Sequence, residues 1–150
     1  MKPLVQSVRI DAPAEAVWRT VTDIGRCHEI IPSIRRIEML GDAPCGLGAR
    51  WRETRIMFGR EATEVLEITE WRPPTEYVVG ATSHGCEYRT VVRVRPDGTG
   101  CVLEYEFASK PLTIMARIMG ALMIPLMKGT LCKALMEDLH AIKSHCERSA

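Results

Sequence analysis

The stretch Pro111-Leu-Thr-Ile-Met-Ala-Arg-Ile-Met-Gly-Ala-Leu-Met-Ile-Pro125-Leu-Met-Lys-Gly-Thr-Leu-Cys-Lys-Ala-Leu-Met-Glu-Asp-Leu-His140-Ala-Ile-Lys-Ser-His-Cys-Glu147 decides how this chain folds. It is the one long helical pattern in the sequence. Everything before it reads as short strands with two small helices near the N-terminus. A single long helix needs a surface to lie on, and a curved antiparallel sheet is the available one. In its first half Met115, Met119, Met123 and Met127 recur every four residues beside Ile114, Ile118, Leu122 and Leu126. At 3.6 residues per turn these make one broad apolar stripe. In the second half the stripe is Leu131, Leu135, Leu139 and Ile142. On one ideal helix the two stripes lie nearly half a turn apart, so a straight helix cannot bury both against one sheet. Pro125 removes a backbone donor and Gly129 is a weak helix former. A kink or break is therefore expected between about Ile124 and Thr130. The methionines admit two readings, core packing or an adaptable lining for an apolar ligand. A membrane span is not expected, because Arg117, Pro125 and Lys128 interrupt the run before ~20 apolar residues accumulate.

One hundred and fifty residues suit one domain, 1–150, with a sizeable core. A net charge of +1 supplies no basic field for nucleic acid. The six cysteines are spaced too widely for a CxxC knuckle or redox pair. With no apolar run after Lys2, the N-terminus does not read as a secretory signal, and a reduced, cytoplasmic protein is the expectation.

Leu4–Ile10 alternates as a strand. Asp11 is placed to cap a helix beginning near Pro13, whose buried face is Ala14, Val17, Val21 and Ile24, and Gly25 ends it. A second short helix stops before Pro32. Six strands follow, at about Ile34–Leu40, Ala49–Met57, Glu61–Trp71, Glu76–Thr82, Cys86–Arg95 and Gly100–Ala108. The turns between them fall at Gly41–Gly48, Phe58–Arg60, Arg72–Thr75, Ser83–Gly85 and Pro96–Thr99. Short loops make neighbours antiparallel.

This order resembles the helix-grip fold of the SRPBCC (START-like) superfamily, nearer to its polyketide cyclase/dehydrase-type branch. The resemblance is carried by Ile10-Asp-Ala-Pro-Ala-Glu-Ala-Val-Trp18, Thr22-Asp23, Ile31-Pro32, Gly46-Leu-Gly48, Gly59-Arg60, Glu70-Trp-Arg-Pro-Pro74 and Pro96-Asp-Gly-Thr-Gly100. It covers essentially the whole chain. It implies an α+β fold of about seven strands (β-α-α-β6-α) wrapped around the C-terminal helical segment, with a pocket between sheet and helix. It says little about chemistry, since one fold hosts many functions.

Strand alternation selects the pocket face. Cys86, Tyr88, Thr90, Val92 and Val94 share one side of their strand, and Cys101, Leu103, Tyr105 and Phe107 share one side of the last. In Ala49–Met57 the inward set is Trp51, Glu53, Arg55 and Met57, which brings two charged residues toward the interior unless both reach solvent near an edge. Hairpins alternate ends in a meander, so Phe58–Arg60, Ser83–Gly85 and the junction Ser109–Leu112 share one end. That agrees with the entrance the resemblance implies and puts Phe58, His84 and Lys110 near the rim. The candidate ligand-binding set is thus Trp51, Glu53, Arg55, Met57, Phe58, His84, Tyr88, Tyr105, Phe107, Met115, Met119 and Met123.

The chain has no GxSxG, HExxH or P-loop motif, and Gly46-Leu-Gly48 is not a dinucleotide fingerprint. Cys27-His28-Glu29 are sequence neighbours that do not face one another on a helix. His84 and Cys86 give two metal-ligand types without a third or fourth, and no metal or cofactor is expected. Two functions remain open. One is binding of a small, mostly hydrophobic molecule, such as a lipid, isoprenoid or polyketide-like compound. The other is an aromatase/cyclase-type enzyme using Glu53, Arg55, Tyr88, Tyr105 and His84 for aldol condensation and dehydration. A third class is an interaction module whose Met-rich segment docks on a partner or membrane surface. The expected partner is a small hydrophobic molecule, with no nucleic acid and no stable membrane insertion, in a monomer or homodimer.

Overall fold

A computed structural model describes residues 2–42 and 45–149. Seven antiparallel strands run in the order β1-β7-β6-β5-β4-β3-β2. They are β1 (Leu4–Ile10), β2 (Ile34–Leu40), β3 (Arg50–Met57), β4 (Arg60–Arg72), β5 (Glu76–Ser83), β6 (Cys86–Asp97) and β7 (Gly100–Pro111). Helix α1 (Ala14–Thr22) and a 3₁₀ helix (Ile24–Glu29) link β1 to β2, which sit at opposite edges. Helix α2 (Ile114–Ser149) grips the curved sheet, packing on β1, β7 and α1. The expected helix-grip fold is therefore present, and the strands differ from their expected bounds by a few residues. The β2–β3 connection was expected as a turn at Gly41–Gly48, of which Ala43 and Pro44 lie outside the described residues.

The core is built from the concave faces. Ile10, Leu103, Val94 and Cys101 from the sheet meet Val17 and Val21 of α1 and Leu139, Ile142 and Cys146 of α2. Trp18, Trp71 and Tyr77 form an aromatic cluster with ring centroids 5.4 to 5.9 Å apart. The Tyr77 hydroxyl donates to the Val21 carbonyl at 2.6 Å, fixing α1 to the sheet. On the other face of the strands Arg93 bridges Glu104 and Glu106, and Arg89 reaches Glu70. These arginines and glutamates form an ion-paired outer surface.

Two expectations about helix ends are corrected. Asp11 does not cap α1, which has Pro13 at its N-cap and no side-chain cap. The Asp11 side chain pairs instead with Arg9, and its backbone N–H donates to Glu147 Oε2 at 2.8 Å. Helix α1 also stops at Thr22, because Ile24 already belongs to the 3₁₀ helix.

Of the kink or break expected in the C-terminal segment, the break is absent: α2 continues through Pro125 and Gly129 to Ser149. The conflict between its two stripes is resolved by exposure. Only the second half buries its stripe, while Ile114, Met115, Ile118, Met119, Leu122, Met123 and Leu126 all face solvent. By length and composition α2 is long and apolar enough to cross a membrane, and none of its apolar window is buried.

Candidate ligand cavity

Between the concave sheet and the second half of α2 lies a cavity of about 470 Å³. Its walls are mostly apolar: Val21, Ile24 and Ile31 at one end, Leu66, Val79 and Val92 from the sheet, and Leu131, Leu135 and Ile142 from α2. All four inward residues of β3, Trp51, Glu53, Arg55 and Met57, line it. So do Tyr88, Tyr105 and Phe107, whose strands put Phe107 opposite Thr90 and Tyr105 opposite Val92. The Tyr88 and Phe107 rings stack with centroids 6.0 Å apart.

The polar part of the wall includes Glu64 and a charged trio of Glu53, Arg55 and Asp138. Arg55 Nε donates to Glu53 Oε2 at 3.0 Å, and Arg55 Nη1 donates to Asp138 Oδ2 at 3.0 Å. Trp51 Nε1 donates to Glu53 Oε1 at 3.4 Å, and Ser33 Oγ donates to Asp138 Oδ1 at 3.3 Å. Asp138 is only 6% exposed. Charges this deep persist only when paired and hydrogen-bonded, and each member of the trio is. Burial alone would lower the Arg55 pKa, but the charges of Glu53 and Asp138 outweigh it and the net shift is upward. The trio joins strand to helix, and Arg55 and Asp138 also border a smaller cavity of about 230 Å³ lined by Ser33, Thr130, Lys133 and Glu137.

Two phenols and one thiol on the wall are held in their neutral forms. Burial, reinforced by the charge of Asp138, raises the Tyr105 phenol well above its ordinary value. The Tyr88 phenol is raised by burial and by the Cys86 thiol. Burial and then the charge of Glu53 push the Cys27 thiol up to about 12. A nucleophilic cysteine needs a thiolate, so Cys27 is lining rather than nucleophile.

The rim lies where strand parity put it. Phe58-Gly59 and His84-Gly85 are two-residue hairpin turns with positive φ at both positions. Such turns match the twist of the flanking strands and usually carry Asn, Asp or Gly. A phenylalanine there is unusual, and Phe58 is 52% exposed while still lining the cavity. Thr113 Oγ1 accepts from the Ala116 N–H at 3.0 Å, capping α2, and the start of the helix rests on Gly85.

Four candidates are displaced. His84 sits at the turn tip beyond the last strand pair, its Nδ1 2.7 Å from Ser83 Oγ, and does not line the cavity. Met115, Met119 and Met123 lie on the exposed half of α2, before its first lining residue, Leu131. Conversely, Asp138 and Cys27 line the cavity and were absent from the candidate set. Asp138 had a signal: it stands seven residues after Leu131 and four before Ile142, an acid inside an apolar stripe. Among the described residues no group of three or more His, Cys, Asp or Glu is placed to hold a metal ion.

Residues 1–147 match the family described as polyketide cyclase / dehydrase and lipid transport. The chain belongs to that family. Solved structures with the same fold include TTHA0849 from Thermus thermophilus, at a TM-score of 0.80 and 15% identity over 99% of both chains. The Zhui aromatase/cyclase from Streptomyces sp. R1128 aligns at 0.72 and 17% identity, covering 98% of this chain and 94% of that one. The di-domain aromatase/cyclase StfQ from the steffimycin biosynthetic pathway aligns at 0.79 and 14%, covering 98% of this chain and 51% of that one. At these identities the likeness is one of fold. No curated protein matches the sequence. Membership in the polyketide cyclase/dehydrase and lipid transport family agrees with the START-like resemblance read from the turns and caps.

Proposed function

We propose that this chain binds a small, mostly hydrophobic molecule, such as a lipid, isoprenoid or polyketide-like compound, in the cavity between the sheet and α2. The observation that carries the reading is a mostly apolar cavity of about 470 Å³ whose charged lining is a buried trio and Glu64. Pockets of a few hundred Å³ with apolar walls and few polar groups are what small-molecule sites look like. Apolar burial supplies the affinity. The trio sets orientation, with Tyr105 and Tyr88 as neutral hydroxyls that can donate to a ligand oxygen. Two acidic side chains share one guanidinium, so the trio favours a hydroxyl or other donor group over a carboxylate. The chain works as one domain, and its six free thiols suit a reducing cytoplasm.

The same wall favours a second reading, an aromatase/cyclase-type enzyme, which the family supports. Glu53 or Asp138 would take a proton from the carbon between two ketones, and the resulting enolate would attack a second carbonyl. Tyr105 would donate a proton to the oxygen that becomes a hydroxyl, and loss of water would follow.

Native mass spectrometry of freshly purified protein, followed by denaturing analysis of what dissociates, tests the proposal. A defined apolar small molecule at one copy per chain is expected. An empty protein that also fails to take up an apolar fluorescent probe would overturn the binding reading. Turnover of a poly-β-keto chain, abolished in Arg55→Met, would move the assignment to the enzyme.

A further inference from the structure

We propose that the first half of α2, from Ile114 to Met127, docks peripherally on an anionic lipid bilayer. The inference goes beyond the pocket reading and does not depend on it. Ile114 and Leu126 are each 78% exposed, and between them Met115, Ile118, Met119, Leu122 and Met123 lie open on the same side. At 100° per residue these seven side chains cover one continuous half of the helix surface. The opposite side, with Ala116, Gly120, Ile124 and Met127, is partly covered by the rest of the molecule. The helix thus turns its more apolar side outward, the reverse of an ordinary surface helix. Contiguous exposed apolar surface of this kind marks an interaction site.

Charge identifies the occupant. No Asp or Glu occurs between Glu106 and Glu137, whereas Lys110, Arg117, Lys128 and Lys133 fall in that interval and all four are exposed. Apolar side chains flanked by basic ones, without an acid among them, match a bilayer with anionic headgroups. A second copy of this chain fits poorly, because an isologous pairing would set this basic helix against itself. The segment lies on the bilayer rather than crossing it. From Ile114 to Lys128 the helix is about 22 Å long, against roughly 30 Å of hydrocarbon. Beyond Lys128, α2 is committed to the fold through Asp138, Leu139, Ile142 and Cys146. The docked half adjoins the cavity rim, since its first turn packs on Gly85 and exposed Phe58 sits at the same end of the sheet.

The test is co-sedimentation with phosphatidylcholine vesicles and with equimolar phosphatidylcholine–phosphatidylglycerol vesicles. The native chain is expected to sediment with the anionic vesicles, and less at high salt. Ile118→Glu combined with Leu122→Glu should weaken that binding about a hundredfold or more, since two exposed apolar contacts are lost. Lys128→Glu should weaken it roughly tenfold on anionic vesicles only. All three positions are solvent-facing, so the variants should melt like the native chain and still take up an apolar probe in solution. That separates failure of docking from failure of the pocket. Native protein left in the supernatant, or a double variant that sediments like the native chain, would overturn the proposal. So would a dimer seen by analytical ultracentrifugation that the double variant abolishes, which would make this face a self-interface.

Discussion

At the residue scale the argument turns on Arg55. Its guanidinium serves two acids at once, Glu53 on its own strand and Asp138 on α2. Replacing Arg55 by methionine keeps the volume but leaves two carboxylates facing an apolar cavity. Removing one partner of a buried ion pair costs about 3 kcal/mol. For a chain of this size that lowers the melting temperature by roughly 6 to 12 °C. Adding Glu53→Gln and Asp138→Asn should restore most of the loss, because a neutral site no longer strands a charge. Thermal melts followed by circular dichroism check both outcomes; an Arg55→Met variant that melts like the native chain would mean that solvent already screens the trio. Half of this site was legible in the sequence. Strict alternation through Trp51, Glu53, Arg55 and Met57 puts all four on one face, because the side-chain period of a strand is two. Asp138 was not placed there because it meets Arg55 across 83 positions, and helical periodicity gives a face without saying which strand it will oppose. The same limit applied to His84, where parity located the turn but not which residues of it would line the cavity.

At the scale of elements, α2 does two jobs that its sequence announces as two stripes. The half-turn offset between them was legible, and the structure accommodates it without a break because only one stripe needs the sheet. Periodicity identifies an apolar face but not whether that face meets core, ligand or solvent, which is why the methionines were misplaced. The far end of the helix is tied to β1 by polar contacts. Glu147 accepts from the Asp11 backbone N–H and from Lys143 Nζ at 2.7 Å, and Lys143 also donates to the Arg9 carbonyl. The Asp11 N–H and then Lys143 hold the Glu147 carboxyl below its ordinary value of 4.5. A carboxyl lowered in the folded state contributes stability above its unfolded pKa and loses it as pH falls through the folded one. Glu147→Gln should therefore lower the melting temperature at neutral pH, and the difference from the native chain should shrink as pH drops below about 4.5. A pH series of melts for the two proteins measures it. An offset that stays constant down to the acid limit would show that the charge of Glu147 contributes nothing.

At the scale of the whole molecule, the fold places a charged trio, two neutral phenols and an apolar cavity inside one helix-grip frame, with an uncovered apolar helix beside the rim. The frame was legible because caps, turn glycines and alternation all agreed on one topology. Cavity size and chemistry were not, since they depend on how far α2 stands from the sheet. Filling the cavity should therefore have a large and chemically selective effect. A ligand held at a hundred times its Kd stabilises the folded state by about 2.7 kcal/mol. For a chain of this length that raises the melting temperature by roughly 5 to 10 °C. The direction of selectivity follows from the trio: a long-chain alcohol should stabilise more than the carboxylic acid of the same chain length. The acid would bring a third carboxylate to one guanidinium, and like charges in a low-dielectric wall repel strongly. Arg55→Met together with Glu53→Gln and Asp138→Asn removes the charges and should bring the two shifts together. If the acid stabilises the native chain more than the alcohol, Arg55 is exchanging a protein carboxylate for the ligand's. The trio would then be a carboxylate receptor whose resting partners are Glu53 and Asp138.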